Sequence, residues 1–233
     1  LRPPGAPATT ELEDVLLSYA RLVAVDLRGP AVVQDAARSA EQPEPQVVRF
    51  TLREAQRFHP DGTGNEQPLS AESVRTDFQR RAAEGVALFS EVVDRIERPD
   101  GSTVVLRLKA PFGLLFDLLA QPNASLRGDG TYPGTSERVG SGTWQPTRRD
   151  GAIVRYAPAR AATGDLRPLL SAIDVVARGT AGELDAAFAS GDLDVRLTAA
   201  GSQPPVDAPK GATQQKRPSR RLRGVGLSLL ATK

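Results

Sequence analysis

The chain contains no cysteine and no methionine, one histidine and one tryptophan. Without thiols there are no disulfides, no thiolate catalysis and no cysteine-ligated metal. A single histidine, His59, leaves any Ser-His-Asp triad or histidine metal cluster only one imidazole to work with. With no methionine, Leu1 is not a translation start, and a processed or truncated N-terminus is expected. Aromatic residues make up only 5%, so aliphatic side chains must build most of the core. No run approaches the roughly 18 apolar residues that a membrane-spanning helix needs. No signal-peptide pattern is visible either, as in a mature exported chain and equally in a cytoplasmic fragment. Lysine occurs only at Lys109, Lys210, Lys216 and Lys233, so arginine carries nearly all the positive charge. The net charge of +2 is too small to imply a nucleic-acid partner.

What is present is a globular composition: 233 residues, 39% hydrophobic and 25% charged, enough for one large domain or two small ones. Residues 1–10 are rich in proline and alanine and read as an extended lead-in. Leu12, Val15, Leu16 and Tyr19 recur at helical spacing, and Leu22 to Val25 read as a short buried strand. Gln42 to Pro45 read as a turn-rich break. Val48, Phe50 and Leu52 then alternate with Arg49, Thr51 and Arg53, the pattern of a half-buried strand. His59-Pro60-Asp61-Gly62 makes a turn. Ser70 is a good N-cap for a helix running to about Glu84, with Ala71, Val74, Phe78 and Ala82 on one face. Arg98-Pro99-Asp100-Gly101 is a β-turn signal joining Glu91–Glu97 to Thr103–Lys109 as a hairpin. Pro111 suits the first position of a helix carrying Phe112, Leu115, Phe116 and Leu119.

Further on, Ile153–Tyr156 and Ile173–Val176 read as strands. Thr180 caps a helix stopped by Gly191, and Asp192–Val195 is expected to turn into a strand. Residues 197–224 are polar and rich in glycine and proline, with a basic cluster from Lys216 to Arg223. That cluster lacks interleaved aromatics and reads as a solvated linker instead of a phosphate or lipid site. Val225 to Leu230 could form one closing strand. The fold class is mixed α/β, an α+β-like sheet with hairpins and helices interleaved.

Chemistry is thinly represented. Asp61 and Glu66, near His59, have no ligand spacing, and a structural turn explains the group better than catalysis. Glu11, Glu13 and Asp14, like Asp192 and Asp194, sit at helix ends, where charge is favourable without any reaction. Gly140-Ser-Gly142 followed by Thr143 has the flavour of a phosphate loop but lacks the spacing and lysine of one. Trp144, beside these glycines, favours core packing slightly over ligand contact on general grounds.

Three separated stretches carry a resemblance. Phe50-Thr-Leu-Arg53 with Phe58-His-Pro-Asp-Gly62 and Leu69 to Val74 is similar to a strand–loop–helix signature, F-x-L-R-x-x-x-x-F-H-D-G followed by L-x-A-x-D-V. Val93-Asp94 with Thr103-Val-Val-Leu-Arg-Leu-Lys-Ala-Pro-Phe112 resembles V-D-x-x-T-V-x-x-x-L-x-x-P-F. Ser190-Gly-Asp-Leu-Asp-Val195, after Leu184, resembles A-L-x-S-G-E-x-D-V. Between and before them, Tyr19 to Asp26 is similar to Y-x-x-L-V-x-x-D. Val139 to Trp144 is similar to P-V-G-T-G-P-Y, with Ser141, Thr143 and Trp144 as departures. All belong to the extracellular solute-binding proteins of family 5, the dipeptide-, oligopeptide- and nickel-binding receptors of ABC importers.

The resemblance spans about Tyr19 to Val195 and implies the first lobe of a two-lobed periplasmic-binding-protein type II fold. Residues 11–196 would be that lobe with its extra subdomain, 197–224 a linker, and 225–233 a strand leading to a second lobe outside this chain. It implies a non-enzymatic receptor without cofactor, metal or catalytic residues, and ligand contacts near Trp144, Gly142 and Tyr19. The implied partners are a small solute such as a peptide and an ABC permease. The implied location is extracytoplasmic, with membrane association only through a lipid anchor outside this chain. The alternative is a truncated homologue acting as a binding or scaffold module without transport.

Overall fold

The computed structural model describes residues 17–25, 32–150, 153–160, 168–176 and 180–195. The chain divides into two compact units, Leu1–Ala177 and Arg178–Lys233. The helix expected around Leu12 lies almost wholly outside the described residues, as do the linker at 197–224 and the closing strand at Val225.

The first unit is built on three antiparallel sheets. Strands β1 (Val23–Val25) and β2 (Val32–Gln34) form a two-stranded ribbon. Strands β3 (Ala37–Glu44), β4 (Val47–Leu52), β5 (Val93–Glu97) and β6 (Thr103–Leu108) form a four-stranded sheet in the order β3-β4-β6-β5. Strands β7 (Trp144–Asp150), β8 (Ile153–Pro158) and β9 (Ile173–Val176) form the third sheet. The four-stranded sheet buries Val48, Phe50 and Leu52 from β4 and Val104, Leu106 and Leu108 from β6, as their alternation requires. Helix α1 (Ala71–Ala83) adds Ala71, Val74 and Phe78 to this core.

Two polar devices fix α1 against the hairpin. Ser70 and Ser73 form a reciprocal capping box, which satisfies donors that the first helical turn leaves open. The Ala71 N–H donates to the carbonyl of Gly101 in the β5–β6 turn at 2.9 Å. That turn is held by Asp100, whose Oδ1 accepts from the backbone N–H groups of Ser102 and Thr103, both at 2.7 Å.

Three local expectations fail. Gln42 to Glu44 belong to β3, and the chain turns only at Pro45–Gln46. Pro43 is tolerated because β3 is an edge strand whose register is already irregular between Glu41 and Glu44. Pro111 does not open a helix: helix α2 spans Leu115–Leu119, with Leu114 at its N-cap and no capping side chain. Gly113 lies where the earlier first turn would run, and it disfavours helix. Asp192–Val195 forms no strand; no partner strand pairs with it among the described residues, and Val195 is exposed.

In the second unit, helix α3 (Ala181–Ser190) has the expected Thr180 cap, reinforced by Glu183 into a capping box. Gly191 closes it in the left-handed region, at φ 84°, where a side chain would be strained.

Candidate functional site

The loop between Val139 and Thr143 is clamped from two sides. On one side stands His59, 3% exposed. Its backbone N–H donates to the Gly140 carbonyl at 2.7 Å. Its ring Nε2 lies 2.8 Å from the carbonyl oxygen of Gly142, which can only accept, so Nε2 carries the proton. Nδ1 must then accept from the Tyr132 hydroxyl at 2.6 Å, and that hydroxyl oxygen accepts from the Gly140 N–H at 3.0 Å. Every group in this chain is satisfied with a neutral imidazole. Burial lowers the His59 pKa to about 4, against a smaller upward pull from its bond to Gly142.

On the other side runs the backbone of Leu17 to Tyr19. The Gly142 N–H donates to the Ser18 carbonyl at 2.9 Å. A Cβ on Gly140 would lie 1.9 Å from the Ser18 oxygen, and one on Gly142 would lie 2.4 Å from the Leu17 oxygen. Both glycines are required by backbone contact.

The sequence candidates therefore fall in one neighbourhood with different surroundings. Gly142 faces the Leu17–Tyr19 backbone and His59. Trp144 begins β7 and is 9% exposed, outside the main core cluster. Tyr19 is 4% exposed, and its hydroxyl bonds to the Arg138 carbonyl at 2.7 Å and to Glu137 Oε1 at 2.8 Å.

Tyr19 also lines an open cleft of about 290 Å³, together with Arg80, Glu84, Arg127, Glu137 and Arg138. Sequence reading missed these five charged residues of α1 and its C-terminal end and of the loop at 127–138. Two of them, Arg80 and Arg127, are tied to a buried network under α1. Asp77 and Arg81, both 2% exposed, pair along the helix at 3.4 Å. Arg81 also donates to the carbonyls of Asn123 and Ser125, and Arg80 pairs with Asp77. The Arg127 N–H donates to Asp77 Oδ2 at 3.2 Å. Desolvation pushes the Asp77 carboxyl up, opposed by Arg81 and Arg80, and it lowers the Arg81 guanidinium to about 10. A signal was available: Asp77 and Arg81, four apart, fall among Val74, Phe78 and Ala82 on the buried stripe.

The profile of the bacterial extracellular solute-binding proteins, family 5 (middle), matches residues 31–230. The chain belongs to that family. No curated protein matches it.

Among solved structures, HbpA2 from Haemophilus parasuis superposes with a TM-score of 0.69 at 21% identity, covering 81% of this chain and 43% of that one. A dipeptide-binding protein from Pseudoalteromonas sp. SM9913, in complex with Met-Leu, gives 0.68 at 15%, covering 81% and 43%. A nickel ABC transporter from Bacillus halodurans gives 0.65 at 24%, covering 79% and 38%. The chain thus spans about two fifths of each of these proteins, and the likeness defines its fold. That fold is the first lobe of a two-lobed periplasmic-binding protein of type II. Among the described residues no helix is long and apolar enough to cross a membrane.

Proposed function

We propose that this chain is the first lobe of an extracytoplasmic receptor that delivers a peptide or similar small solute to an ABC permease, without catalysing a reaction. The observation that carries the reading is the family match across residues 31–230. Two structural neighbours, one in complex with Met-Leu and one a nickel ABC transporter, are in keeping with a small solute and favour no single one.

The site geometry supports the same reading. The His59–Tyr132–Gly140–Gly142 chain holds the glycine loop rigidly against Leu17–Tyr19. Rigid placement of that loop would fix Trp144 and Tyr19, the proposed ligand contacts, without loss of side-chain freedom when a solute binds. The four-stranded sheet with α1 and α2 would be the extra subdomain of the lobe. Capture of a solute requires closure against a second lobe, so the binding unit is the complete gene product. The reading is tested by purifying the complete gene product without refolding, denaturing it and analysing the released small molecules by mass spectrometry. A stoichiometric peptide or comparable solute is expected. Preparations that release nothing, and that take up nothing from peptide, sugar or metal-chelate mixtures, would contradict it.

A further inference from the structure

We infer that Glu137 is a positioning residue for solute capture: it holds the Tyr19 phenol in the wall of the cleft, and Arg149 of β7 aims it. The inference deepens the receptor reading above and rests on it, since only there is Tyr19 a ligand contact. Glu137 stands where three segments meet. Its Oε1 accepts from the Tyr19 hydroxyl at 2.8 Å, and its Oε2 pairs with Arg149 at 2.8 Å. Its backbone is fixed by a tight turn. The Glu137 carbonyl accepts from the Tyr132 N–H at 2.9 Å, and its N–H donates to the Thr135 hydroxyl at 3.2 Å.

Tyr19 is pinned at both ends. The carbonyl of Ser18, just before it, accepts from the Gly142 N–H at 2.9 Å. At the other end the hydroxyl has one proton to give and faces two acceptors, Glu137 Oε1 and the Arg138 carbonyl at 2.7 Å. A carboxylate accepts more strongly than a neutral carbonyl, so Glu137 is the firmer anchor. Without it the Arg138 carbonyl still satisfies the hydroxyl, but the ring is held from one side only. The Glu137–Arg149 pair adds little to the fold: its side chains are 34% and 33% exposed, and solvent screens pairs of that kind. Its consequence falls on Tyr19, whose ring would otherwise have to be immobilised when a solute docks against it.

The test uses the complete gene product and its variants Glu137→Ala, Glu137→Gln, Tyr19→Phe and Tyr19→Phe with Glu137→Ala. Each is followed by thermal shift against peptide, sugar and metal-chelate mixtures. Unliganded melting temperatures report folding and are expected to change little in the Glu137 variants. The half-stabilising concentration is expected to rise about two- to ten-fold in Glu137→Ala, the weight of one side chain that must be immobilised on binding. Glu137→Gln, whose amide oxygen can still accept from the hydroxyl, is expected to recover part of that loss. In the Tyr19→Phe background Glu137→Ala should add nothing, because the hydroxyl it acts through is gone.

Unchanged binding in Glu137→Ala, or a loss of equal size with and without the Tyr19 hydroxyl, would overturn the positioning role and leave the receptor reading intact. No response of the natural protein to any mixture would contradict the receptor reading and the role with it. If Glu137→Ala does not fold, Arg149→Gln in the natural and Tyr19→Phe backgrounds decides. A loss of binding confined to the natural background supports the role, and any other result overturns it.

Discussion

Below about pH 6.5 the burial of His59 works against the fold. Its folded pKa is depressed to about 4 from an ordinary 6.5, so the unfolded chain binds the proton more tightly. The stability it contributes is fully present above about pH 6.5 and is lost as pH falls toward 4. The loss is roughly 3 kcal/mol at the bottom of that window, at 1.36 kcal/mol per unit. Urea denaturation of the natural protein and His59→Gln between pH 8 and 4 should show this term in the natural protein and not in the variant. At pH 8 the variant should be less stable by roughly 1–3 kcal/mol, because Tyr132 and the Gly142 carbonyl lose their partner. Equal pH slopes would refute a buried neutral imidazole.

Two neighbouring substitutions separate packing from polarity at the same loop. Gly142→Ala places a methyl 2.4 Å from a backbone oxygen that cannot step aside, and should cost about 1–3 kcal/mol or more. Ser141→Ala removes a buried hydroxyl that has no hydrogen-bond partner among the described residues. It should be neutral or stabilising, as read from denaturation midpoints.

At the scale of elements, α1 shows both what the sequence reveals and what it conceals. Its start is legible because Ser70 has a cap's chemistry, and its length because Ala71, Val74 and Phe78 keep one face. The β5–β6 hairpin is legible through Pro99 and Gly101, although Asp100 supplies its hydrogen bonds. The Asp77–Arg81 pair was not read, because charges on a helix usually point to solvent; its place among Val74, Phe78 and Ala82 was the available signal, and the packed loop at 123–127 supplies the partners that keep it buried. The end of β3 escaped for a related reason: only its place at the sheet edge makes Pro43 acceptable. Ser70→Ala should lower stability by about 1 kcal/mol through the lost cap. Asp77→Ala should cost about 3–5 kcal/mol, because Arg81 stays buried without its counter-charge. Thermal or urea unfolding of the two variants checks both, and a smaller loss for Asp77→Ala than for Ser70→Ala would contradict a buried pair.

At the scale of the molecule, the order of the three matching stretches was enough to indicate the lobe. Each is a strand, turn or helix end whose residues serve the fold: Phe50 and Leu52 in the core, Val104 and Leu106 opposite them, Gly191 closing a helix. The cleft was not legible in the same way. Arg80, Arg127 and Arg138 come from separate segments and meet only through α1 and the loop at 127–138. The chain spans about two fifths of the length of its structural neighbours, and the proposed capture would draw its further solute contacts from a second lobe.

The central claim is that this lobe serves capture of a small solute between two lobes. Its most direct test is the melting temperature of the complete gene product and of residues 1–233 alone, each with and without peptide, sugar and metal-chelate mixtures. The account expects a concentration-dependent rise in the complete protein for at least one mixture, and no rise of comparable size in residues 1–233. No rise in the complete protein with any mixture, together with a stable protein partner captured by cross-linking, would contradict it in favour of a scaffold.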